Sequence, residues 1–136
     1  MSENTQNEKE TTIQEEKKVS TKKDKKEKAK IAELEKLCFS EPWSESALNE
    51  EISNPDAVFI TALIGDAIAG YGGMHTPWGD CYIDNIAVFP SFRKMGVGDA
   101  IVKALCKKAE ELGEFISLEV RTSNTNAISL YEKNGF

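Results

Sequence analysis

Arg93-Lys94-Met95-Gly96-Val97-Gly98-Asp99-Ala100 is the stretch that decides the fold, because it joins an apolar strand to an amphipathic helix. Two glycines two positions apart let the backbone approach a ligand closely and turn its N–H groups toward it. The helix that follows contributes the positive end of its dipole, and Arg93 and Lys94 bring mobile positive charge, so a phosphate is the expected guest. The bare pattern of Arg or Gln, two residues and Gly-x-Gly arises by chance in about one in fifteen chains of this length. Its neighbours must therefore carry the reading.

Downstream, the apolar spacing predicts a helix over 97–112 that buries Ile101, Val102, Leu105, Ala109 and Leu112 and stops at Gly113. Residues 115–120 read as a strand, with Ile116, Leu118 and Val120 on one face and Ser117, Glu119 and Arg121 on the other. A last helix over 126–133 carries Ile128, Leu130 and Tyr131 and ends at Asn134-Gly135. Upstream, residues 81–89 form an apolar strand closed by Pro90. Strand, phosphate-type turn, helix and strand make one right-handed crossover. Before it, strands over 58–64 and 67–74 flank the tight turn Gly65-Asp66 as an antiparallel hairpin. Gly70, Gly72 and Gly73 in the returning strand predict a bulge or the close approach of another backbone. The fold class is thus α/β, a mixed sheet flanked by helices, with no internal repeat.

The N-terminal part supplies the remaining helices. A helix is expected from residue 23 to about Phe39, with Ile31, Leu34, Leu37 and Cys38 on its apolar face. Phe39-Ser40-Glu41-Pro42-Trp43-Ser44 follows, either as a loop pinned to the core by Trp43 or as the lining of a substrate groove. Ser44 is placed to cap a helix running to about Ile52, and residues 53–56 form a turn. Residues 1–22 are rich in Glu, Lys, Thr, Ser and Gln and are predicted to be a disordered tail, with at most a short strand at 18–20. One domain over residues 23–136 is expected.

Charge is unevenly distributed. Residues 1–30 hold nine Lys against seven acids, and the remaining residues eight Lys or Arg against sixteen acids. An acidic globule disfavours nonspecific nucleic-acid binding and attracts basic peptides or amines. Cys38, Cys81 and Cys106 are odd in number and lack Cys-x-x-Cys spacing, so neither a disulfide framework nor a metal site is suggested, and a reducing cytoplasm is expected. No apolar run approaches the roughly 20 residues that cross a bilayer, and no membrane partner is expected. His75, the single histidine, falls in a loop over 75–80, where it is either a loop-edge residue or the only imidazole base the chain can offer.

Together these segments resemble the GNAT acetyltransferases, whose acetyl-CoA motif is Arg/Gln-x-x-Gly-x-Gly/Ala between strand and helix. Four stretches match in order: 39–44, Asn85-Ile86-Ala87-Val88, the loop at 93–98, and Leu118-Glu119-Val120-Arg121 leading to Ser123-Asn124 and Leu130-Tyr131-Glu132-Lys133-Asn134-Gly135-Phe136. The first and last point to the bacterial branch that acetylates the N-terminal alanine of a small-subunit ribosomal protein. The resemblance implies an acyltransferase in which the backbone of Ile86, Ala87 and Val88 meets the pantetheine arm of acetyl-CoA. Arg93, Lys94, Met95, Gly96, Val97, Gly98 and Asp99 would form the pyrophosphate loop, and Asn124 would touch the same molecule. It further implies Glu119 as general base and Tyr131 as general acid, with a protein or peptide N-terminus as partner and no metal.

These types suit the chemistry. An α-amino group with a pKa near 7.7 to 8.0 is mostly protonated at neutral pH, so a carboxylate must remove its proton before it attacks a thioester. A phenol can return a proton to the departing thiolate, and strand N–H groups near Val88 can stabilise negative charge on the carbonyl oxygen. Read from the residues alone, Glu119 equally suits an ion pair with Arg121, and Tyr131 a core position. Asp99 suits the helix dipole yet places a negative charge near the phosphate. Two departures from the family pattern stand out. Lys-rich sequence at 17–28 replaces the usual apolar first strand, and the chain stops at Phe136, where relatives continue through further strands. The resemblance therefore suggests a domain truncated at its C-terminus. An acetyltransferase for small amines and an inactive acetyl-CoA-binding fragment are the alternatives.

Overall fold

Residues 57–64 read Ala-Val-Phe-Ile-Thr-Ala-Leu-Ile, apolar on both faces of a strand, which requires cover on each side. The computed structural model, which describes residues 11–15, 22–39, 42–76, 80–112 and 115–136, provides that cover. Its sheet runs β1 (Thr11–Glu15), β2 (Ala57–Ile64), β3 (Ala67–His75), β4 (Asp80–Val88) and β5 (Phe115–Leu118), in that spatial order. The first four strands pair antiparallel and β5 lies parallel to β4. Helix α1 (Lys22–Cys38), α2 (Glu45–Ser53), α3 (Val97–Leu112) and α4 (Thr125–Lys133) complete the elements, with a 3-10 turn at Pro90–Phe92.

Two cores follow from strand alternation. Val58, Ile60, Ala62 and Ile64 of β2 join Met74, Cys81 and Ile83 beneath Val97, Ile101, Leu105 and Ala109 of α3. On the other face, Phe59, Tyr71 and Ala87 meet Ile31 and Leu34 of α1 and Leu48 and Ile52 of α2. Helix α3 lies close against the sheet at Gly72, where an added Cβ would stand 2.5 Å from the Ile101 Cγ2. The close approach of another backbone that the glycine-rich strand foretold is at Gly70, where an added Cβ would meet the Ala87 carbonyl oxygen, and the foretold bulge is the β3–β4 register shift between Gly73 and Met74. The Ser44 Oγ accepts from the Ala47 N–H at 3.1 Å and starts α2 as expected.

The structure corrects four expectations. Thr11–Glu15 is a strand, not disordered tail, and pairs with β2 from Thr11 opposite Ile64 to Glu15 opposite Ile60. The sheet's first strand is therefore this polar segment, before the Lys-rich stretch that was expected to replace it; the expected strand at 18–20 lies outside the described residues. Leu37 and Leu112 are exposed, because each sits in the last turn of its helix where the core has ended. The strand expected over 115–120 ends at Leu118. Finally, His75 closes β3 and is not a loop residue. Among the described residues no helix is long and apolar enough to cross a membrane.

One feature of the topology positions the site. Strands β4 and β5 pair only from Asp80 opposite Phe115 to Ile83 opposite Leu118. Past that rung β4 continues through Val88 along β3, while the chain after Leu118 leaves the sheet. The edge of β4 from residue 84 onward consequently faces an opening instead of a neighbouring strand.

Candidate active site

Beyond that opening lies a cleft of about 730 Å³. Its floor is Ile86, Ala87 and Val88 of β4, and its end is the loop 93–99 at the start of α3. The far wall is Asn124, Asn126, Ala127, Leu130, Tyr131 and Lys133 from α4 and its cap, and Leu37, Cys38 and Phe39 close the near side. The structure thus brings together most of the residues singled out in the sequence: Ile86, Ala87, Val88, Arg93, Lys94, Gly96, Val97, Gly98, Asp99, Asn124 and Tyr131. Met95 and Glu119 do not line this cleft; Met95 projects outward, half exposed. A second cleft, between α1 and the β2–β3 turn, shares Phe92 with the first.

The loop is shaped for an anion. Lys94 and Gly96 both have positive φ, 63° and 80°, so the backbone winds through left-handed positions at alternate residues. Among the described residues, no backbone hydrogen bond engages the N–H groups of residues 94–99; the first beyond them is Ala100 N–H to Gly96 C=O at 3.0 Å. Nothing stands within 4 Å of where a Cβ on Gly96 would lie. N–H groups with no backbone partner among the described residues, at the head of a 16-residue helix that lines the cleft, suit a phosphate-like anion.

The charged residues at the loop have settled partners. Arg93 folds back, its Nε donating to the Val88 C=O at 3.2 Å and its Nη2 reaching the Cys38 Sγ at 3.6 Å, which fastens the loop to β4 and α1. Asp99 is drawn away from the N–H groups. It accepts from Lys103 and from the Asn134 amide at 2.9 Å, and Lys133 stands 3.7 Å away. The bond from Lys103, then that from Asn134, lowers its pKa. Its negative charge is therefore neutralised within α3 and α4. Asn124 caps α4, its Oδ1 accepting from the Ala127 N–H at 3.2 Å.

Tyr131 packs edge-on against Phe136 with ring centroids 5.9 Å apart, and burial raises its pKa, so the phenol keeps its proton. Glu119 is exposed just past the end of β5. Its carboxylate accepts a 2.9 Å hydrogen bond from the Tyr82 hydroxyl, and among the described residues no ion pair joins it to Arg121. That bond raises the Tyr82 pKa above its ordinary value. Tyr82 was not singled out in the sequence. The signal was available: it lies between Cys81 and Ile83, whose side chains enter the α3 core, just as Glu119 follows Leu118 of the same core.

His75 has both ring nitrogens engaged. Nε2 faces the Glu51 carboxylate at 2.5 and 2.9 Å, and Nδ1 meets the Asp84 carboxylate. Burial works against its charged form, yet the two carboxylates outweigh it and raise its pKa. Burial raises the Asp84 pKa in turn, with His75 opposing. The histidine is a clamp between α2, β3 and β4. No group of three or more His, Cys, Asp or Glu among the described residues is arranged to hold a metal.

Comparison with known proteins agrees with this geometry. The model of the Acetyltransferase (GNAT) family matches residues 28–136. N-alpha-acetyltransferase RimI of Mycobacterium tuberculosis is 33% identical over 113 residues, covering 79% of this chain and 70% of that protein. The [ribosomal protein bS18]-alanine N-acetyltransferase of Escherichia coli K12 is 30% identical over 106 residues, covering 76% and 70%. The crystal structure of the ribosomal-protein-S18-alanine N-acetyltransferase from Escherichia coli superposes with a TM-score of 0.74 at 26% identity, covering 93% of this chain and 77% of that one. With the nucleotide-type loop, the opened sheet and the matched family in agreement, the chain belongs to the GNAT acetyltransferases and is an acyltransferase that uses acetyl-CoA.

Proposed function

We propose that this chain transfers the acetyl group of acetyl-CoA to the N-terminal α-amino group of a protein, the N-terminal alanine of a small-subunit ribosomal protein being the best-supported acceptor. The observation that carries the reading is the opening between β4 and β5, with Ile86–Val88 on one side and Tyr131 across the cleft, and with Glu119 held by Tyr82 just past the last β4–β5 rung. Relatives whose names specify N-α-acetylation or bS18 alanine acetylation, at 30–33% identity, support the acceptor class. So does the acidic balance of residues 31–136.

Acetyl-CoA supplies an acetyl group activated as a thioester. In the proposed assignment the N–H groups of residues 94–99 hold its pyrophosphate, Asn124 borders it, and the backbone of Ile86, Ala87 and Val88 aligns the pantetheine arm. Glu119, oriented by Tyr82, takes the proton of the acceptor ammonium, and the freed nitrogen forms the N–C bond as the C–S bond breaks. Tyr131 gives its proton to the departing sulfur, and the second proton that the nitrogen sheds on becoming an amide restores the phenol. A backbone N–H near Val88 stabilises the carbonyl oxygen as it gains charge. A cytoplasmic location is part of this reading. Incubation with acetyl-CoA and an alanine-initiated peptide, followed by mass spectrometry, is expected to show the gain of one acetyl group, which Glu119→Gln reduces about a hundredfold or more. Transfer to a polyamine or aminoglycoside with none to peptide would replace the proposed acceptor by a small amine.

A further inference from the structure

Glu35 is a carboxylate with nearly no exposure, 1%, in the middle of the apolar layer between α1 and the sheet. Burying a carboxylate is costly unless its oxygens are fully engaged, and both are. One accepts from the Tyr71 hydroxyl and the other from the Trp43 backbone N–H at 3.3 Å. These partners belong to opposite halves of the site. Tyr71 is fully buried on β3 directly opposite Ala87, stacks on Phe59 with centroids 5.2 Å apart, and has the Asn85 side chain near its hydroxyl. Asn85 opens the β4 stretch whose next three residues floor the cleft. Trp43 lies at the end of the segment leading into α2, packed with Cys38, Phe39 and Phe89 against the same core. Cys38 and Phe39 themselves close the near side of the cleft.

We propose that Glu35 is a positioning residue for acetyl transfer, which fixes the spacing between the acceptor-side segment ending at Trp43 and the acetyl-bearing strand β4. The inference rests on the reading of β4 as the acetyl-CoA strand and of Trp43, ahead of α2, as bordering the acceptor groove. Burial and the neighbouring Glu35 both keep the Tyr71 hydroxyl protonated, so it remains a donor throughout the neutral range. With two donors converging on it, the residue at 35 must accept on both oxygens. A glutamine of the same shape accepts on one only: with its carbonyl on the Trp43 N–H its NH₂ group must donate to the Tyr71 oxygen, whose own proton then loses its acceptor in the apolar layer. An apolar residue would fill the volume but leave the Trp43 N–H without a partner. Among the described residues no other side-chain bond tethers Trp43 in this way, and its displacement alters the acceptor groove while the bond from Arg93 to the Val88 C=O still holds the loop at 93–99 to β4.

The test is steady-state kinetics of the full chain with peptide and acetyl-CoA varied in turn, alongside thermal unfolding. Glu35→Gln is expected to raise the peptide KM about tenfold, with the acetyl-CoA KM changed less than about twofold. Tyr71→Phe, which keeps the charge and removes one donor, is expected to raise the peptide KM about threefold, and it serves if Glu35→Gln does not fold. The double variant should show less than the product of the two effects. A peptide KM that stays put in both folded variants, or both KM values rising together, overturns the proposal. A wild-type chain that transfers nothing to peptides defeats the proposed function and this inference with it. A wild type that transfers, with variants that keep its peptide KM, defeats the inference alone.

Discussion

The Tyr82 hydroxyl and the Glu119 carboxylate are joined by a 2.9 Å hydrogen bond across the last paired rungs of β4 and β5. The two residues are 37 positions apart in sequence and meet only because β5 lies parallel to β4, with Tyr82 opposite Ser117. In the proposed mechanism the bond aims the base at the opening. Tyr82→Phe is therefore expected to lower kcat about tenfold while leaving the acetyl-CoA KM unchanged, since a typical bond to a charged group is worth about 1.5–3 kcal/mol. Stopped or steady-state kinetics on a peptide acceptor measure this. A Tyr82→Phe enzyme with wild-type kcat would remove the orienting role.

The loop geometry makes its own demand. Gly96 sits at a φ of 80° with open space around the missing side chain, so Gly96→Ala meets no clash and pays only for the left-handed backbone, about 1–2 kcal/mol. Isothermal titration should show acetyl-CoA binding weakened by about tenfold, because the strain turns the N–H row out of line. Unfolding should show a modestly lowered Tm. A variant that loses stability but binds as before would mean that the loop does not hold the pyrophosphate.

His75 couples stability to pH. Its pKa is raised in the folded chain by Glu51 and Asp84 above the ordinary value of 6.5, so the charged clamp stabilises fully below that value and fades as pH rises through the folded pKa. At higher pH a neutral imidazole donates to only one of the two carboxylates. The difference in Tm between the wild type and His75→Gln should accordingly be largest near pH 6 and shrink steadily above it. A difference that grows with pH would show that the neutral form is the one stabilised.

Asp99 runs the other way. Its pKa is lowered, so its contribution is present above the ordinary carboxylate range and is lost as pH falls through the folded value. The partners are largely surface groups, and Asp99→Asn is expected to cost no more than about 1 kcal/mol. Because the carboxylate is already neutralised by Lys103 and Lys133, the same variant should change acetyl-CoA affinity by less than about threefold. A large gain in affinity would show that Asp99 repels the phosphate after all.

Much of this architecture was legible locally. The boundaries of α3, the β2–β3 turn at Gly65-Asp66 and the Ser44 cap follow from spacing and turn chemistry that each segment carries by itself. Thr11–Glu15 was not legible, because Thr-Thr-Ile-Gln-Glu has one large apolar residue and becomes a strand by pairing with the edge of β2. The phosphate loop declared itself by its glycines. Glu119 and Tyr131 acquired roles only through family resemblance, and Tyr82 had none: the alternation with Cys81 and Ile83 marks the face it points to, but its partner is set by the parallel register of β4 and β5. Glu35 carries no signal of its own in the sequence, and only the folded chain shows it buried between Tyr71 and Trp43.

Where the acetyl group goes decides between the α-amino acceptor and any other. Fragment-ion mass spectrometry of one alanine-initiated, lysine-containing peptide, offered with acetyl-CoA in free and N-terminally blocked form, locates it. A single acetyl group on the α-nitrogen of the free peptide, none on the blocked one and a strongly reduced yield with Glu119→Gln is the expected result. Acetylation of the lysine side chain, or equal yields from wild type and Glu119→Gln, would contradict it.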